Sequence, residues 1–353
     1  MTPSREQLER AVRDAASRLT SEPRRLAAAA AAGSAAATAA GAGVRRLISR
    51  DGTPTDSSAY RLLSGEPVST GIKRVVTARV GDALAELRGE TDSEPADAIH
   101  EARKDMKKIR SAIRLVRDPL GDEVYKRENE HYRDVGRMLS SFRDAEVLVE
   151  TVEALTERFE SAGDRFSGLR ERLGAELRDV RDDGSIESAM ARAAGALERG
   201  LGRISSWPLR GDGWALLEGG LRRSYRRGRK RLRAVEEDPS VENLHEWRKR
   251  VKDLWYQLRL IREAEPALLG SLADHAHLLS DHLGDDHDLA LLRQSAAERP
   301  DAFAEAADQR LMFELIDRRR GELRFAATSL GERIYSRKPK TFTKSLEGRW
   351  RSR

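Results

Sequence analysis

Cysteine is missing altogether from this chain of 353 residues, which excludes a disulfide framework, a thiolate metal site and a cysteine nucleophile. Its absence fits a reducing cytoplasm, which is where we expect the protein. Aromatic residues make up only 5%, and alternating strand-like runs are hard to find, so nothing in the pattern supports a sheet. Strongly apolar runs are missing too. The one stretch that invites a membrane reading, residues 27–43, consists of Ala, Gly, Ser and Thr, which supply little transfer free energy. Membrane contact there is the lesser expectation. The greater one is a flexible or loosely helical Ala-rich extension over residues 1–59. A long polar segment precedes the small-residue stretch, which argues against a secretory signal. Lysine is also scarce, with 11 lysines against 54 arginines.

What is abundant is charge and helix-forming side chains. Charged residues reach 35%, and Ala, Leu, Arg and Glu dominate, all of which lose little side-chain freedom in a helix. From Tyr60 onward apolar residues recur at helical spacing nearly to the end. Breaks rich in Gly, Pro, Asp or Ser fall near 90–96, 118–122, 161–164, 182–185, 205–213, 237–241, 264–266 and 338–340. The chain reads as all-α.

An internal repeat organises it. Residues 100–118, HEARKDMKKIRSAIRLVRD, match residues 245–263, HEWRKRVKDLWYQLRLIRE, at 8 of 19 positions. A second pair, MLSSFRDAEVL at 138–148 and HLGDDHDLALL at 282–292, keeps nearly the same offset, 144 residues against 145. This predicts two homologous helical halves, about 60–200 and 213–340. Five of the few lysines, Lys104, Lys107, Lys108, Lys249 and Lys252, fall in the first repeated pair.

On a helix at about 100° per residue, Ile99, Ala102, Met106, Ile109, Ile113 and Val116 share one face. His100, Arg103, Lys104, Lys107 and Arg114 lie opposite, with Arg110 at the margin. In the second copy Leu244, Trp247, Val251, Leu254, Leu258 and Ile261 form the apolar stripe. His245, Arg248, Lys249, Lys252 and Arg259 form its basic counterpart. A solvated face ordinarily mixes signs, and like charges along one face repel, so two such faces point to an anionic partner. A third basic run, RRSYRRGRKRLR at 222–233, adds Arg226, Arg229, Lys230 and Arg233 to the candidate anion-binding set.

The run from His100 to Arg110 resembles the signature of the CHAD family, the conserved-histidine α-helical domain. That pattern sets a His, an Arg three residues on, two bases seven and eight residues on, and an Arg ten residues on. His100, Arg103, Lys107, Lys108 and Arg110 match it. In the second copy His245, Arg248 and Lys252 match, while Asp253 and Trp255 stand where the family often has bases. The segments LSSFRDAEVL and LGDDHDLALL are similar to the family's second signature, and the resemblance covers about residues 60–351. It implies two pseudo-symmetric helical bundles forming one domain around a central basic groove or pore. It also implies binding of inorganic polyphosphate and association with polyphosphate granules; we expect no cofactor and no catalytic residue. No ExExK strand of the triphosphate-tunnel (CYTH) domain is present. Residues 100–117 would span roughly 26 Å as a helix, enough for several phosphate units.

Two rival functions have some basis in the residues. A metal-dependent phosphohydrolase could be built on the cluster HAHLLSDHLGDDHD at 275–288, with His275, His282 and Asp286 sharing a helix face. An RNA- or DNA-binding protein would also use basic helices. Against it, single-strand binders offer stacking aromatics, and Trp247 falls on the apolar face.

Overall fold

The computed structural model describes residues 60–182 and 184–351. The extension expected over 1–59, and with it the membrane reading of 27–43, lies outside them. Among the described residues there are twelve α-helices and no strand. The first half holds α1 (Val68–Leu87), α2 (Pro95–Leu115), the single turn α3 (Arg117–Leu120), α4 (Asp122–Met138), α5 (Ser141–Arg158), α6 (Ser167–Asp182) and α7 (Ser185–Ile204). The second holds α8 (Ala215–Glu237), α9 (Val241–Leu260), α10 (Pro266–Ala297), α11 (Ala306–Ile334) and α12 (Pro339–Arg351). No described helix is long and apolar enough to cross a membrane.

The boundaries follow local chemistry. α2 and α10 begin at Pro95 and Pro266, where the missing N–H would have had no helical partner. Ser240 caps α9, its Oγ accepting from the Asn243 amide at 3.4 Å. All the breaks expected from the sequence are found. Two more, at 139–140 and 298–305, are not among those expected.

In the first half α1, α2, α4 and α7 pack in a ring of neighbours; in the second, α8, α9, α10 and α11 do the same. Every residue of both predicted apolar stripes is buried, from Ile99 to Val116 and from Leu244 to Ile261. Each large aliphatic among them contributes roughly 1.5–3 kcal/mol by leaving water. The halves do not stand apart, because one continuous core takes in side chains from both. A smaller core joins α5 and α6 to the far ends of α10 and α11 through Phe166, Leu169, Leu292 and Ile316.

The junction between the halves sets up the site. α2 packs against α8 and α9 as well as α1 and α4. At the crossing with α9, Ser111 Oγ donates to the Asp253 carbonyl at 2.9 Å, and Gln257 Nε2 donates to the Ser111 carbonyl at 3.3 Å. At the crossing with α8 a glycine is obligatory. A Cβ on Gly220 would lie 1.9 Å from the Leu115 carbonyl oxygen.

Candidate anion-binding cleft

Burying the apolar stripes of α2 and α9 leaves their basic faces to meet across the junction. They enclose a cleft of about 520 Å³, with α4 as its third wall. Arg103, Lys107, Arg110 and Arg114 enter from α2, and His245, Arg248, Lys249 and Lys252 from α9. The duplicated ridges therefore face one common space. Three further bases line it that the sequence reading missed: Arg133 and Arg137 of α4, and Arg250 of α9. Among the described residues, ten Lys and Arg side chains, besides His245, thus stand in the wall against a single carboxylate, Asp253.

Each cation is held in its own way. Arg103 donates from Nη1 to the carbonyls of Leu139 and Ser140 at 3.2 and 3.1 Å, filling acceptors that the end of α4 leaves open. Arg248 occupies the comparable place on α9. It lies over Gly284 in the middle of α10, where an added Cβ would come within 2.9 Å of its Nη2. Arg248 Nε is buried without a hydrogen-bond partner. Arg110 meets only a neutral acceptor, Asn129 Oδ1 at 3.3 Å. Burial, then the adjacent Arg114, lower its pKa to about 10 against the opposing pull of Asp253. It is charged at neutral pH and crowded by its own sign.

Asp253 answers part of that charge. Its Oδ1 accepts from Arg114 Nη1 at 2.7 Å and its Oδ2 from Arg250 Nη1 at 3.3 Å, which ties α2 to α9. Glu246 pairs with Lys249, and Asp134 accepts from Arg133 Nε at 2.8 Å. Among the described residues that line the wall, Lys and Arg outnumber carboxylates ten to one, so positive charge predominates in a partly desolvated space, where electrostatic interactions are stronger than in bulk water.

The other predicted residues lie outside this wall, with the exception of His245. Lys104 is buried, with Nζ on Glu101 Oε1 at 2.7 Å. Lys108 turns to Asp105 at 2.9 Å, where Arg79 also approaches at 3.5 Å. Burial raises the Asp105 pKa, with both cations opposing. Arg259 lies over the rings of Tyr60 and Trp255, at 5.5 and 5.3 Å. His100 is half-buried at the start of α2 and is not part of the cleft wall. Arg226, Arg229, Lys230 and Arg233 of α8 are also outside it. His245 does reach the cleft, stacked on His287 with ring centres 4.4 Å apart. Burial, then His287 and the neighbouring bases, lower its pKa to about 4. In the ligand-free cleft the imidazole is therefore neutral at pH 7.

The His/Asp cluster at 275–288 disperses around α10. Asp286 is buried and accepts from Arg320 and Arg324 at 3.1 and 2.9 Å. His277 pairs with Asp281 at 3.2 Å and packs on Trp255, and His287 goes to His245. Among the described residues no three such side chains converge on a metal position. Within the cluster, Asp286, His277 and His287 serve ion pairs and ring packing.

An all-α domain with a basic cleft at the junction of two repeated helices is the class that fold and site define. The CHAD domain family model matches residues 74–297, more than half of the chain, and the protein belongs to that family. A crystal structure of the CHAD domain from the plant Ricinus communis is similar at 17% identity and a TM-score of 0.49. That match covers 81% of this chain and 93% of the plant domain. No curated protein matches.

Proposed function

We propose that the cleft binds a linear phosphate polymer, inorganic polyphosphate, and holds it without reacting with it. The observation that carries this reading is the convergence of both repeated basic helices, with α4, on one space lined by ten bases and one acid. A flexible polymer with a charge on every unit has no bases to read, so its binder needs positive charge along a path. Arg supplies forked donors to phosphate oxygens, and Lys supplies mobile point charges. Lys107, Arg137 and Lys249 are exposed and accessible to such a chain. The two tyrosines in the wall, Tyr132 and Tyr256, are buried to 0% and 2% exposure. They offer no platform for nucleobases, which favours a bare phosphate chain over RNA. Family membership agrees with the reading, and association with polyphosphate granules follows from it.

The test is a titration of the full chain with fluorescent polyphosphate, alongside Lys107→Glu/Lys249→Glu/Lys252→Glu. Reversing three charges in the cleft should weaken binding by roughly a hundredfold at physiological salt. Equal affinity for the variant, or displacement of polyphosphate by less RNA than polyphosphate of matched charge, would refute the proposal. With Mg²⁺ or Mn²⁺ present, phosphate release should not exceed that of the variant.

A further inference from the structure

The basic run at 222–233 is not used by the cleft, yet it is not an ordinary solvated face. On α8, Arg222, Arg226, Arg229 and Arg233 recur at i, i+4, i+7 and i+11 and form one stripe about 16 Å long. Arg227 and Arg231 of the same helix face the other way. Arg227 feels the charge of Arg250 in the cleft wall, and Arg231 approaches Glu246 at 4.0 Å. These two lie about 130–170° round the helix from the stripe.

The turn between α11 and α12 is docked beside this stripe. Tyr225 Oη donates to the Ile334 carbonyl at 2.9 Å, and Arg229 Nη1 donates to the Arg337 carbonyl at 3.1 Å. Arg337 and Lys338, both exposed, thereby join its flank. Arg226, Lys230, Arg233 and Lys338 are exposed, and none pairs with a carboxylate among the described residues. The face offers charge and little else. None of the exposed large apolar side chains belongs to α8 or α12, so nothing is set to insert into a bilayer as interfacial helices require. The aromatic rings beneath it are spent on one another, Tyr225 lying 4.1 Å from Phe342 and 5.2 Å from Tyr335. None is available to stack on a base.

We infer that this face is a second phosphate-polymer track, holding a strand other than the one in the cleft, so that one molecule bridges two chains. The inference goes beyond the proposed function and rests on it only for the first strand.

The experiment loads the full chain onto beads carrying short biotinylated polyphosphate, washes them, and then offers a fluorescent polyphosphate chain. The wild type should stay on the beads and capture the second chain. Arg226→Gln/Lys230→Gln/Arg233→Gln should melt at the wild-type temperature and stay on the beads, while capturing roughly tenfold less of the second chain. If this variant captures as much as the wild type, or if the retained wild type captures none, the bridging inference is overturned and the cleft reading stands. If the variant no longer stays on the beads, all binding belongs to this face, and both readings fall. Capture of phosphatidylserine vesicles in place of the second chain overturns the inference in favour of a membrane surface.

Discussion

Asp253 performs two tasks in the cleft, and they pull in opposite directions. By bridging Arg114 and Arg250 it fastens α2 to α9, and as the one acid in the wall among the described residues it repels any anion that enters. Asp253→Asn keeps the shape and removes the charge. Losing the bridge between partly buried groups should cost about 2 kcal/mol, read as a lower unfolding midpoint in denaturant. Polyphosphate affinity should rise by roughly three- to tenfold over the same change. A variant that loses both stability and affinity would show that the bridge positions the arginines for the ligand. His245 sets a pH dependence of definite sign. Its folded-state pKa, about 4 instead of the ordinary 6.5, means the unfolded chain takes up the proton first as the solution is acidified. The ligand-free protein therefore loses stability from this group as pH falls from about 6.5 to 4. Melting curves across that window should fall more steeply for the wild type than for His245→Gln. Other histidines with lowered pKa, His131 and His282, are common to both proteins, so parallel curves would mean that His245 does not contribute.

At the scale of helices, the close contact between α2 and α8 is the most constrained element pair. Gly220→Ala places a methyl against the Leu115 carbonyl, and relief requires the two helices to separate. The expected cost is about 3 kcal/mol, measured as a lower melting temperature. Since the core runs through both halves, the loss should appear in one transition. A melting temperature equal to wild type would show that the helices separate freely. The same packing explains what the sequence disclosed and what it hid. Both basic helices were legible because each repeats a strong apolar stripe, and a stripe that must be buried fixes which face is left. Where Lys104 and Lys108 would turn was not legible, because a helical wheel assumes one buried side. α2 is gripped by α1, α4, α8 and α9, and at its margins Glu101 and Asp105 claim the two lysines. α4 was illegible as a wall for a different reason. Its buried face is Glu128, Tyr132 and Val135, and the charged member is held by Arg203 at 2.9 Å. No apolar stripe announced which side Arg133 and Arg137 would take.

For the whole molecule, a net charge of +6 over 353 residues is too small to attract a polyanion strongly if spread evenly. What gives the chain a binding site is placement. Folding brings two segments 145 residues apart to one cleft, and acids elsewhere balance the remainder. Binding driven this way is mainly the release of counterions from the polymer. Its signature is a straight line of log affinity against log salt, with a slope of about −0.7 for each phosphate neutralised on a single strand. About seven phosphates neutralised by the ten bases of the cleft then give a slope near −5. Lys107→Gln/Lys249→Gln/Lys252→Gln removes three of the contacts and should make the slope shallower by about two. Fluorescence anisotropy at several salt concentrations reads both values. An unchanged slope in the variant would mean that the phosphates are neutralised somewhere other than the cleft, even if the affinity itself fell.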